Sequence, residues 1–218
     1  MRRVFAVLLL VLGLALALSA EEVIKRLDSY LKSGPWEALI EGEIMLPTGE
    51  LAKTKMKVYV LPAEKIARIE FFAPDSVADN FVVITPEKVY NYLFLTHQVV
   101  VYPREKARIE GLGVSLSRLG DFEGLAEAEG ILWKIAATEK TEVGEAYLLV
   151  GRPEDPETAG FLRVELWVLK DPPVPYRYRV YDLEGELVLD LFWRDFKRTR
   201  LTKDDLLAYP PDAEVIER

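Results

Sequence analysis

The hydrophobic period of the chain changes at Pro35. From Glu21 to Ser33 the apolar residues Val23, Ile24, Leu27, Tyr30 and Leu31 recur at three- and four-residue intervals. That spacing puts them on one stripe of an amphipathic helix over 21–33. Glu21 and Glu22 suit its positive N-terminal end, and Gly34-Pro35 stops it. Beyond Pro35 the period becomes two. The even positions Trp36, Ala38, Ile40, Gly42, Ile44 and Leu46 are apolar or small, while the odd ones include Glu37, Glu41 and Glu43. Thr48-Gly49-Glu50 turns the chain. Ala52, Thr54, Met56, Val58 and Val60 then share one face, and Lys53, Lys55 and Lys57 the other. The two runs predict a hairpin with one dry and one wet face.

Similar runs continue at 65–73, 80–85, 88–94 and 98–102, punctuated by Pro62, Pro74, Pro86 and Pro103, and again at 131–140, 146–151, 161–169, 176–183 and 186–197. Glu184-Gly185-Glu186 reads as a tight turn. The stretch 113–129 lacks strand patterning and predicts one or two short helices. Thr202-Lys203-Asp204-Asp205 predicts a capped short helix before Pro210-Pro211. The expectation is one mainly β (α+β) domain over 21–218, with about eleven antiparallel strands and two or three helices. Neither repeats nor a linker interrupt it.

A long antiparallel sheet with one apolar face must cover that face. The available cover is helix 21–33 and the 113–129 segment. Short helices leave the mouth of a wide half-barrel partly open, and apolar pockets form in such places. The inward positions expected to line one are Trp36, Ile44, Met56, Val58, Val60, Ile69, Phe71, Tyr90, Tyr92, Phe94, Leu162, Val164, Leu166 and Tyr178. Tyr176 and Trp193 are expected to face inward as well. Ordinary core residues carry the same periodicity, so filled core and cavity lining both stand as readings.

The N-terminus changes the setting. Arg2-Arg3 precede the apolar run Val4 to Leu18, and Leu18-Ser19-Ala20 ends it before Glu21-Glu22. This is the layout of a secretory signal peptide over residues 1–20, cleaved near Ala20. The run is short for a membrane span, which takes roughly 18–20 apolar residues, although a retained anchor is the alternative. The net charge of −8 argues against nucleic acid, whose phosphates call for basic patches. There is no Cys, so disulfides cannot staple the fold and no cysteine can accept a lipid.

Catalysis needs a recognisable constellation. His97 is the single histidine, in a turn-like Leu95-Thr96-His97-Gln98, and neither a nucleophile elbow nor a phosphate-binding loop occurs. One His and no Cys make a conventional metal site improbable. Glu123, Glu127 and Glu129 read as a solvated helix face. The expectation is a protein that is not an enzyme and carries neither cofactor nor metal.

Order and spacing carry a family resemblance. The amphipathic helix is followed by Trp36-Glu-Ala-Leu-Ile-Glu-Gly42, a lysine-rich second strand and a Leu61-Pro62 break. Next come Ile66–Phe72, then Pro74, Asn80-Phe-Val-Val-Ile-Thr, Lys88-Val-Tyr-Asn-Tyr-Leu and Gln98-Val99, with Leu206-Leu-Ala-Tyr-Pro210-Pro211 near the end. Most of the chain beyond residue 20 thereby resembles the outer-membrane lipoprotein carrier (LolA-like) family. The resemblance implies a half-open antiparallel β-barrel of about eleven strands with helices over its concave face, as that architecture usually has. It implies a periplasmic, monomeric protein holding acyl chains of lipoproteins or another lipid. It also implies an inner-membrane ABC exporter and an outer-membrane acceptor as partners. Structural or stress-sensing interaction domains share the fold and form the alternative. One departure stands out. The family tends to place an Arg, which helps fasten the lid, where this chain has Leu61, and Arg68 lies nearby out of register.

Overall fold

The computed structural model describes residues 18–46, 48–104 and 130–218. The signal-peptide run up to residue 17 and the helices expected over 113–129 lie outside the described residues.

Helix α1 spans Ala20–Lys32. Ser19 caps it, its hydroxyl accepting from the Glu22 N–H at 3.1 Å. The expected stripe is the buried one: Val23, Ile24, Leu27 and Leu31 each expose 8 % or less. Burying each contributes roughly 1.5–3 kcal/mol, so packing rather than propensity holds the helix. Its last carbonyls have no partner within the helix. Arg198 supplies one, donating to Tyr30 O, to Gly34 O at 2.6 Å and to Ser33 Oγ at 2.6 Å.

Twelve strands form one sheet among the described residues. They are β1 Trp36–Met45, β2 Leu51–Leu61, β3 Ile66–Ala73, β4 Phe81–Ile84, β5 Lys88–Leu93, β6 Gln98–Pro103, β7 Ile131–Thr141, β8 Gly144–Pro153, β9 Arg163–Leu169, β10 Pro175–Tyr181, β11 Leu187–Arg198 and β12 Glu214–Glu217. Their order is β12-β6-β5-β4-β3-β2-β1-β11-β10-β9-β8-β7, and β7 and β12 do not pair with each other. The sheet is thus an open half-barrel, as expected. The twelfth strand is an addition to the expected eleven, and it pairs with β6 in parallel. Two further helices are short: α2 Pro156–Ala159, which the sequence patterning did not indicate, and α3 Lys203–Leu207. The Thr202–Asp205 capping box opens α3 as expected.

The lysine face of β2 points outward. Lys55 pairs with Glu41 at 2.6 Å, and Lys57 and Lys197 both reach Glu37 at 3.1 Å. Burial alone would raise the Glu37 carboxyl, but the hydrogen bonds and charges of Lys197 and Lys57 outweigh it and hold the group below its usual range. Two irregularities shape the inner face. At Gly42 a Cβ would sit 1.9 Å from the Asp190 carbonyl oxygen, so β1 can approach β11 this closely only with glycine. Near Asp195, where φ is 49°, β11 carries an extra residue against β1. That bulge lets both Trp193 and Phe196 join the core, Phe196 stacking on Trp36 at 5.4 Å.

Apolar layers form on both faces. The concave layer joins α1 to Trp36, Ile40, Val58, Ile69, Phe71 and Trp193. The convex layer lies beneath the C-terminal segment, where Leu206, 1 % exposed, sits among Leu61, Ile66, Phe81, Tyr92, Val99 and Val101. Arg68 fastens this segment. It stacks 3.7 Å above the Phe81 ring and donates to Leu206 O at 3.1 Å and Ala208 O at 2.7 Å. Leu61 is itself buried in the convex layer.

Candidate functional site

The concave face holds two rows of side chains that run across the strands. The first is Trp133, Gly151, Val164, Val180, Leu189 and Ile44, each the register partner of the next. The second is Ile135, Leu149, Leu166, Tyr178, Leu191 and Gly42. Val164, Leu149 and Leu166 form a floor with 0 % exposure. Around it Trp133, Ile135, Tyr178, Val180, Leu189 and Ile44 are only half-buried. The result is an apolar basin with a dry floor and an incompletely covered wall. The other part of the concave face is closed: Val58, Ile69 and Phe71 expose at most 2 % each.

Polar groups are scarce in these rows, and Tyr178 is their sole ionisable residue. Burial pushes its hydroxyl up to about 12, so it remains a protonated donor throughout the neutral range. The indole Nε1 of Trp133 is buried without a hydrogen-bond partner among the described residues. Its ring lies over Gly151, where an added Cβ would come 2.9 Å from Trp133 Cε3.

Most expected lining residues are brought together here or on the adjoining closed part. Trp36, Val58, Val60, Ile69, Phe71 and Leu166 belong to the concave layer, and Met56 and Tyr178 pack against it. Ile44 and Val164 occupy the first row. Four residues do not. Tyr90 and Tyr92 belong to the convex layer, because Val89 is the β5 residue that faces the concave core. Phe94 lies past the end of β5 and is 51 % exposed, and Leu162, ahead of β9, is 42 % exposed. Tyr176 also departs from expectation: a register shift between Pro175 and Arg177 sends it to the outer face with Trp167.

The outer face of β9–β11 is polar-aromatic. Arg177 makes a two-pronged contact with Asp190 at 2.7 and 2.5 Å, and Arg179 adds a third bond at 3.1 Å. Burial would raise the Asp190 carboxyl, yet the two guanidiniums outweigh it and hold the group below the usual carboxylate range. A hollow of about 470 Å³ lies beside this pair, walled by Glu41, Glu43, Lys53, Lys55, Asp190 and Phe192. Its charges largely neutralise one another. His97 occupies a turn with φ 54°. Its Nδ1 lies 3.0 Å from the Tyr92 hydroxyl, its Nε2 lies 3.2 Å from Asp212, and its carbonyl ties the C-terminal segment down by accepting from the Glu214 N–H at 3.1 Å. Among the described residues no three His, Asp or Glu side chains group as a metal site would require, and no helix is long and apolar enough to cross a membrane.

No family model and no curated protein matches the chain. Solved structures do. An uncharacterised conserved protein from Thermus thermophilus is 33 % identical, with 91 % of this chain and 99 % of that one covered and a TM-score of 0.69. A chain from the complex of MucA and MucB of Pseudomonas aeruginosa is 13 % identical, with 87 % and 61 % covered and a TM-score of 0.51. A LolA superfamily protein from Nitrosomonas europaea is 12 % identical, with 88 % and 99 % covered and a TM-score of 0.42. The open half-barrel thus shares its fold with the chain from the MucA and MucB complex, and this chain belongs to the same family as the Thermus thermophilus protein.

Proposed function

We propose that this chain is a non-enzymatic periplasmic carrier that shelters acyl chains of lipoproteins, or of another lipid, in its concave basin. The observation that carries the reading is the half-buried apolar wall of Trp133, Ile135, Tyr178, Val180, Leu189 and Ile44 above a floor that is fully dry. A filled core would close such a wall, whereas a wall that a ligand completes need not be closed. The energetics suit carriage. Each methylene hidden from water is worth about 0.8 kcal/mol, so a chain of about fifteen carbons gains roughly 12 kcal/mol from shelter. Release then requires a partner membrane or acceptor rather than a bond-breaking step. An inner-membrane ABC exporter would load the basin, and an outer-membrane acceptor would empty it.

A second reading has one observation in its favour. A chain of similar fold comes from a complex of two proteins, MucA and MucB, so the fold is compatible with an interaction domain. A fluorescent acyl probe separates the two readings. Under the carrier reading, the purified full chain takes up about one probe molecule with saturation and a blue-shifted emission. Lack of uptake at any concentration, with the chain folded, leaves the interaction reading standing.

A further inference from the structure

Two donors on the concave face stand out because their counterparts on the outer face are satisfied. Outside, the Trp167 indole N–H bonds Glu139 at 2.8 Å, the Tyr181 hydroxyl bonds Glu165 at 3.1 Å and the Tyr59 hydroxyl bonds Glu70 at 3.2 Å. Inside, Trp133 Nε1 is buried without a partner, whereas the Tyr178 hydroxyl stands on the half-buried wall as a further donor. An orphaned buried donor forfeits free energy that a hydrogen bond would recover, so its persistence calls for an acceptor. For the indole N–H, water is a poor candidate: a buried water needs two to four polar partners, and the rows offer apolar side chains around Trp133.

We infer that Trp133 and Tyr178 read an uncharged carbonyl, the ester or amide group of an acyl ligand, and that the basin thereby prefers neutral acyl lipids to ionised fatty acids. Both groups donate, so the complementary ligand atom is an acceptor. The rows contain no Lys, Arg or His to balance a carboxylate, and an unpaired ionised carboxylate is costly to bury. An ester or amide oxygen brings acceptor capacity with no net charge. The positions also fit a chain running along the basin. Trp133 lies on β7 in the first row and Tyr178 on β10 in the second, and beside Trp133 the first row continues through Gly151 and Val164.

This inference rests on the carrier reading, and the test keeps the two apart. Three probes share one fluorophore and chain length: dodecylpyrene, the methyl ester of pyrenedodecanoic acid, and the free acid at about pH 8, where it is ionised. The ester is expected to bind the wild-type full chain more tightly than the alkane and the acid. Trp133→Phe and Tyr178→Phe should each lower the preference for ester over alkane about 3- to 10-fold, the range for one neutral hydrogen bond, whatever the lost apolar lining does to both probes in common. The Trp133 indole N–H resonance, identified by its loss in Trp133→Phe, should move downfield with the ester and not with the alkane. That resonance is read on the wild-type chain, so it decides the matter even where a variant folds poorly. Variants that keep the wild-type ratio of ester to alkane affinity, an indole resonance indifferent to the ester, or a free acid that binds best would overturn the inference and leave the carrier reading intact. Failure of all three probes to bind would sink both.

Discussion

Replacing Val58 and Ile44 by aspartate, one at a time, separates a filled core from an open basin. Val58 is 0 % exposed within the concave layer. Removing its side chain forfeits about 1.5–3 kcal/mol of burial, and an unpaired carboxylate there adds several kcal/mol more. Against a typical total stability of about 5–15 kcal/mol, Val58→Asp should lower the melting temperature by more than about 10 °C, at roughly 2–4 °C per kcal/mol for a chain of this size, or prevent folding. Ile44 also points to the concave face but is half-buried at the basin wall, opposite Leu189. A carboxylate there keeps contact with water, so Ile44→Asp should cost under about 1.5 kcal/mol. It should nevertheless abolish uptake of an acyl probe, because a charge at the wall opposes an apolar guest. Thermal unfolding and probe titration are measured side by side. Equal melting losses for the two variants would mean that the wall is ordinary core. Retained uptake in a folded Ile44→Asp would mean that the guest lies elsewhere.

Arg68→Ala removes a charged donor from two carbonyls of the C-terminal segment and a cation from Phe81; a loss of about 2–3 kcal/mol and faster proteolysis beyond Thr199 are expected, and unchanged proteolysis would refute the fastening role. Gly151→Ala would place a Cβ 2.7 Å from Ile131, 2.8 Å from Val164 and 2.9 Å from Trp133; the side chains can yield, so a cost of about 1–3 kcal/mol with altered probe affinity is expected, and probe affinity equal to that of wild type would show that Trp133 does not border the guest. Because Asp190 titrates below its usual range when folded, its contribution to stability is present above about pH 4, the value for a free Asp, and is lost as pH falls through the lower folded value. Urea midpoints followed down the acid limb should therefore fall less steeply in Asp190→Asn, and an unchanged acid limb would contradict the arginine pairing as its cause.

The legible part of the fold was the part with one wet face. Glu37 and Lys55 alternate with Ile40 and Val58 because water borders β1 and β2 on one side, so period two names both the strand and its orientation. In β5 that contrast disappears. Val89 faces the concave layer while Tyr90 and Tyr92 face the C-terminal segment, and apolar residues on both sides leave the alternation without a sign. The large aromatics drew the inward assignment, yet the smaller valine lies inward. Tyr176 went astray for another reason: the register shift beside it reverses orientation locally, and nothing in Pro175-Tyr176-Arg177 marks it. Strand β12 has four residues and takes its place from contacts made elsewhere in the chain, including Lys88–Glu217 and Gln98–Glu214. Within the basin, Tyr178, Val164 and Leu166 were legible as inward positions. Trp133 was not singled out, although period two in 131–135 places Ile131, Trp133 and Ile135 on one face. Its interest comes from an unpaired Nε1, which only packing reveals.

The central claim is that the basin holds an acyl guest, and the most direct measurement is native mass spectrometry on the full chain purified from its producing cells without detergent, paired with lipid extraction of the same sample. The account expects a bound species near one per chain that extraction identifies as acyl-bearing, and that Ile44→Asp fails to retain. A folded chain that carries no lipid, and that takes up none when acyl lipids are supplied, would contradict it.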